Sequence, residues 1–108
     1  MAYGETARHE KAADVLRRAV DLDPENADYR VGLGLALERS GELGAAAEVF
    51  QEAIRLDPRL TDARWFLARI RLEAGRPGPA REQLREILRI DPHHPRARDL
   101  LQRLESGD

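Results

Sequence analysis

Residues Ala46–Pro58 read AAEVFQEAIRLDP, and the same frame returns at Ala12–Pro24 as AADVLRRAVDLDP and at Ala80–Pro92 as AREQLREILRIDP. Each copy opens on Ala, places a bulky apolar residue four positions later (Leu16, Phe50, Leu84) and closes on Leu-Asp-Pro or Ile-Asp-Pro. Pro24, Pro58 and Pro92 are 34 residues apart both times. A fixed period of that length marks stacked supersecondary units, each needing its neighbours to bury its apolar surface. Outward from these copies, Ala27–Leu60 and Thr61–His94 agree at 11 of 34 positions. The shared Gly41/Gly75, Gly44/Gly78, Ala46/Ala80 and Pro58/Pro92 are residue types fixed by close packing and backbone geometry, which weigh more than matched surface charge.

The period inside each unit is helical. Leu33, Ala36 and Leu37 fall at i, i+3, i+4, and Ala46, Val49, Phe50, Ala53 and Ile54 continue that spacing. Gly41 and Gly75 stand where a first helix must stop, because glycine takes positive φ without steric cost. Pro58 and Pro92 stop the second helices. The spacing predicts helices over Ala7–Leu22, Ala27–Ser40, Leu43–Leu56, Thr61–Ala74, Pro79–Ile90 and Pro95–Leu104. No segment alternates with period two, so no strands are expected.

Composition excludes several chemistries. The chain has 108 residues, 18 basic against 20 acidic, and a net charge of −2. So small a charge exerts no general pull on nucleic acid or an anionic membrane. Cysteine is absent, which removes disulfides, thiolate catalysis and cysteine-ligated metals. Charged residues make up 35% and the mean hydropathy is −0.60, as expected of amphipathic helices with much exposed surface. No signal peptide or membrane span is visible, so a cytoplasmic location is expected.

The helix–turn–helix unit resembles the tetratricopeptide repeat, whose pattern is W-x2-L-G-x2-Y, then A-x3-F, then P. Here one unit reads Arg30-x2-Leu33-Gly34-x2-Leu37, Ala46-x3-Phe50, Pro58, and the next reads Arg64-x2-Leu67-Ala68-x2-Arg71, Ala80-x3-Leu84, Pro92. Arg replaces the family Trp in both, and Ala68 replaces one Gly. The resemblance implies an all-α, right-handed superhelical solenoid of antiparallel helix pairs forming a single domain. That domain comprises a partial repeat 1–26, repeats 27–60 and 61–94, and a capping helix 95–108. Small residues at the crossings (Gly34, Ala46, Ala68, Ala80) let paired helices approach. Leu33, Leu37 and Phe50 are expected to fill the space between one unit and the next.

In the family, ligands lie in the concave groove against positions 2, 5, 9 and 12 of each unit, one stripe of the first helix. The resemblance therefore implies a binding stripe of Asp28, Val31, Leu35 and Glu38, continued by Asp62, Trp65, Arg69 and Leu72, and by Arg96, Asp99 and Arg103 on the last helix. Val31, Leu35, Trp65 and Leu72 form a candidate apolar anchor patch turned away from the core. Relatives that clamp an acidic C-terminal peptide use Lys and Asn where this chain has Val31 and Leu35, so that specificity is not expected. Asp28, Glu38 and Asp62 favour a protein or peptide ligand with apolar anchors and some basic residues.

Other constellations carry little chemistry. His93-His94 lacks a third convergent ligand, and both are expected to be solvated turn residues. Gly32-Leu33-Gly34 lacks the strand and third glycine of a dinucleotide loop. Arg81, Arg85 and Arg89 run along one face with Glu82 and Glu86 beside them, and Glu82 with Arg85 or Glu86 with Arg89 are i, i+3 pairs, which reads as a salt-bridged outer surface. No triad, carboxylate pair or phosphate loop is present, so no enzyme activity, metal or cofactor is expected. In the repeat register Met1 falls at the ninth position of a unit and Tyr3 matches the family Tyr. The helix carrying Ala12, Val15, Leu16 and Ala19 is then a second helix with no first helix over it. The expectation is a segment of a longer array, or end-to-end self-association through that helix. The helix of Leu100, Leu101 and Leu104 has one apolar face and reads as a cap.

Overall fold

The computed structural model describes residues 2–107, with side chains from Ala7 onward. Met1 and the Tyr3 side chain, to which the repeat register assigns positions, lie outside the described residues. Six helices follow one another: α1 Ala2–Leu22, α2 Ala27–Arg39, α3 Leu43–Leu56, α4 Thr61–Glu73, α5 Pro77–Ile90 and α6 Pro95–Glu105. There is no strand among the described residues. Nor is any helix among them long and apolar enough to cross a membrane. The chain divides into two compact units, Met1–Pro58 and Arg59–Asp108. In the first, α1 packs on α2 and α2 on α3; in the second, α4 packs on α5 and α5 on α6.

Four helices begin where the apolar period places them, and two begin earlier. α1 starts at Ala2 rather than Ala7. α5 starts at Pro77 rather than Pro79. Its first intrahelical bond runs from the Ala80 N–H to the Arg76 carbonyl at 3.4 Å. Both prolines therefore precede the point at which a helical N–H is needed.

The helix stops are backbone motifs. Gly41 has φ +88° and Gly75 φ +74°. The N–H of Gly41 reaches the carbonyl of Glu38 and that of Glu42 reaches Leu37, at 3.0 and 2.9 Å. Gly75 and Arg76 repeat this on Leu72 and Arg71 at 3.0 and 2.8 Å. These paired bonds satisfy carbonyls that the helix end leaves open. At its other end, α2 is capped by Asn26, whose side-chain oxygen accepts from the Tyr29 N–H at 3.1 Å.

Close approach within each helix pair depends on matched volumes. Phe50 is fully buried, and a methyl group placed on Gly34 would lie 2.5–2.9 Å from three of its ring carbons. Phe50 thus seats on the bare backbone of Gly34 within its own helix pair. The second unit divides the volume differently, with Ala68 in place of the glycine and Leu84 in place of the ring, both fully buried in one cluster with Ala80, Ile87 and Ala97. No polar or charged residue is buried among the described residues.

Charges line the outside. Arg89 donates to Glu86 as the helical spacing predicts, but Arg85 reaches Glu105 on α6 at 3.4 Å instead of Glu82. Hydrogen bonds from Arg55 and Arg89 hold the carboxyls of Glu52 and Glu86 below the ordinary value of 4.5, against some dehydration, and Arg30 and Arg64 on the facing helices add to the effect. A carboxyl with a depressed pKa stabilises the fold above its ordinary value and ceases to do so as pH falls through the lowered one.

Gly34→Ala is expected to strain the first unit by about 1–3 kcal/mol through overpacking, partly offset by about 1 kcal/mol of helix propensity. Phe50→Leu alone leaves a void. The double variant recreates the Ala68/Leu84 arrangement, so urea unfolding should show favourable coupling of about 0.5–3 kcal/mol between the two changes. Strict additivity would refute the volume match.

Candidate functional site

The geometry of α6 is set at its first turn. His94 is the N-cap: its Nδ1 accepts the Ala97 N–H at 3.2 Å, and Pro95 follows in the first helical position. An accepting Nδ1 places the ring proton on Nε2. The same imidazole lies against Trp65 of α4, ring centres 6.2 Å apart and planes tilted by 32°. Ala97 is fully buried, and Trp65, Leu72 and Leu100 pack against the cluster that contains it. His94 is therefore a structural cap rather than a solvated turn residue, while His93 is exposed.

On the open side of Trp65 lies a pocket of about 200 Å³ lined by Trp65, Arg96, Asp99, Leu100 and Arg103. Its α6 residues fall at i, i+3, i+4 and i+7, one face of a helix. The floor is apolar (Trp65 and Leu100). The rim carries two guanidinium groups and one carboxylate, all on exposed residues. Arg presents planar paired donors suited to a carboxylate, and an indole offers a broad apolar face.

The expected stripe residues fall into distinct groups. Trp65, Arg96 and Asp99 are brought together in this pocket, joined by Arg103. Asp62 is exposed at the start of α4, and Arg69 lies 5.4 Å from the ring centre of Phe66 on the same helix. Leu72 packs against the core cluster, so it is not turned away from it. On α2, Asp28 is exposed, while Val31, Leu35 and Glu38 are half-buried. Leu100 and His94 were missed. Leu100 sits one residue after Asp99 in the α6 stripe, and His94 precedes a proline at a helix start, the position from which an N-cap acts.

Elsewhere, a more polar cavity of about 390 Å³ in the first unit is lined by Glu10, Ala13, Asp14, Arg17, Ser40 and Glu42. Arg17 and Asp14 are paired there at 3.1 Å, and the Ser40 hydroxyl donates to the Ala36 carbonyl at 2.8 Å. No cluster of three His, Cys, Asp or Glu residues able to hold a metal occurs among the described residues.

Two family models of the tetratricopeptide repeat match, one over residues 37–104 and the other over 1–60. Among solved structures, the first such domain of Spaghetti (RPAP3), bound to the HSP90 peptide SRMEEVD, is 19% identical with a TM-score of 0.85, covering 97% of this chain and 83% of that one. MamA is 27% identical with a TM-score of 0.86, covering 92% and 58%. The Yersinia enterocolitica type III secretion chaperone SycD, in complex with a peptide of the translocator YopD, is 20% identical with a TM-score of 0.78, covering 97% and 82%. No curated protein matches significantly.

His94→Ala is expected to cost about 1 kcal/mol through the lost cap, whereas His94→Asn keeps a capping acceptor and costs less. Both remove the imidazole from Trp65, so both should alter its fluorescence. Urea unfolding and emission spectra check the two effects separately. Equal stability of all three proteins would remove the capping role.

Proposed function

The chain belongs to the tetratricopeptide repeat family, and from that premise we propose that it is a non-catalytic protein-interaction module taking a peptide or a partner helix against the first helices of its repeats. The observation that carries this reading is the pocket on Trp65. Buried aromatic anchors contribute a large share of interface energy, and here an indole is held half-buried, with one side on the core and the other open. The peptides bound by the RPAP3 domain and by SycD support the class of ligand.

The ligand contributes an apolar side chain that enters on Trp65 and Leu100. Arg96 and Arg103 favour a carboxylate beside that anchor, with Asp99 available to a neighbouring donor. At the start of α4, the acidic Asp62 favours a basic residue elsewhere in the ligand.

Peptides selected from a displayed random library against the whole chain provide the test. Trp65→Ala is expected to weaken the selected peptides by about 30-fold or more, the scale of a hot-spot residue. Because Trp65 also supports the core, the exposed double variant Arg96→Ala/Arg103→Ala serves as the second arm and is expected to lower affinity without loss of helicity. Peptides whose binding is indifferent to both variants and to Asp62→Ala would overturn the assignment.

A further inference from the structure

One position of the repeat opens three helices. Asn26, Leu60 and His94 are 34 residues apart and are the N-caps of α2, α4 and α6. Asn26 caps with an amide oxygen, Leu60 makes no side-chain cap, and His94 caps with a ring nitrogen. Of these side chains only histidine changes charge between pH 5 and 8. The helix that His94 opens carries one wall of the Trp65 pocket.

The neutral ring holds two contacts at once. Its Nδ1 accepts the Ala97 N–H at 3.2 Å, and the ring lies against Trp65 with centres 6.2 Å apart. A protonated imidazole carries a hydrogen on both nitrogens. Nδ1–H then meets the Ala97 N–H, donor against donor, and the ring keeps its place only if the first turn of α6 moves. A positive charge there also opposes the helix dipole, and the Ala97 N–H returns to the unpartnered donors of a helix end. Arg96 belongs to that first turn, two residues after His94. His94 is half-buried, so protons reach it. Charges of both signs stand around it. Asp91 and His93 share its turn, Arg96 and Arg98 begin α6, Asp62 lies one turn before Trp65 on α4, and Arg89, paired with Glu86, ends α5.

We propose that, given the reading of the Trp65 pocket as the ligand site, His94 is a positioning residue that makes that site pH-dependent: ligand is held while the imidazole is neutral and released when it takes a proton. Neutral His94 keeps the first turn of α6 closed, and with it Arg96 beside Trp65. Protonation opens that turn and takes Arg96 from the rim. The acceptor exists only in the neutral form. The cap is therefore complete above the ordinary histidine range, about pH 6.5, and is lost as pH falls through it. That interval lies above the range in which carboxyl groups ordinarily titrate, about pH 4.

Two readouts need no ligand. Trp65 is the only tryptophan of the chain, so its emission follows the ring beside it, and exchange of the Ala97 amide follows the cap. Between about pH 7.5 and about pH 5.5 the emission is expected to change. Over the same interval the Ala97 amide is expected to lose about fivefold of its protection, the scale of one cap, after correction for the intrinsic pH dependence of exchange. His94→Asn, which reproduces the Asn26 arrangement without titrating, should show neither change, and His9→Asn/His93→Asn should show both. The ligand probe is a library-selected peptide whose binding falls with Arg96→Ala/Arg103→Ala. Its affinity for the wild type is expected to drop about fivefold over the interval and to stay level for His94→Asn. Ligand-free readouts that do not change, or that change equally in His94→Asn, overturn the switch and leave the pocket as the binding site. Readouts that change while affinity stays level, or rises because the imidazolium attracts the ligand, overturn the coupling. If no selected peptide responds to the arginine variants, the pocket reading falls, and the proposal with it.

Discussion

A methyl group on Gly34 would come within 2.5 Å of the Phe50 ring, so the spacing of α2 and α3 is set by what those two residues occupy together. Ala68 and Leu84 divide the volume differently between α4 and α5. Close approach is what allows residues as small as Ala46, Ala53 and Ala80 to be fully buried, since an alanine reaches its neighbours only when two backbones are near. Dispersion falls steeply with distance, so a loosely spaced pair of alanine-rich helices would have little to hold it. The capping motifs at Gly41 and Gly75 follow from the same requirement. Each chain reversal must be short, and each must satisfy its own carbonyls, because the cores of these units contain no polar partner for them.

An interior this apolar leaves chemistry to the surface. The Trp65 pocket gains its definition from the scaffold beneath it: Ala97 and Leu100 tie α6 to the core, and His94 fixes the helix start while lying against the indole. A binding surface built on helices held in this way keeps its side chains in place before a ligand arrives, which lowers the ordering cost of association. One residue, His94, joins the stability of α6 to the position of the aromatic anchor.

The helices and their stops were legible because each rests on a local rule. Gly41 and Gly75 satisfy a φ requirement, Pro58 a steric one, and the apolar spacing a geometric one. What was not legible depended on two segments meeting. Nothing in a single sequence says that the Phe50 ring needs the bare backbone of Gly34. His94 was taken for a solvated turn residue because its role requires a particular ring nitrogen to face the Ala97 N–H. Arg85 was paired with Glu82 by helical spacing, yet α6 brings Glu105 within its reach. Of the expected stripe, Arg96, Asp99 and Arg103 line one pocket, whereas Leu72 lies close enough to the helix-packing side to join the core.

Size and charge together act as an address in this repeat. The bulky residue of the second helix tests the size of its partner, and the Arg30/Glu52 and Arg64/Glu86 relations test charge. Neither test is strong alone, because exposed charges are screened and a small volume mismatch can be repacked. Their conjunction is selective, since a wrong helix must satisfy a steric and an electrostatic condition in one register.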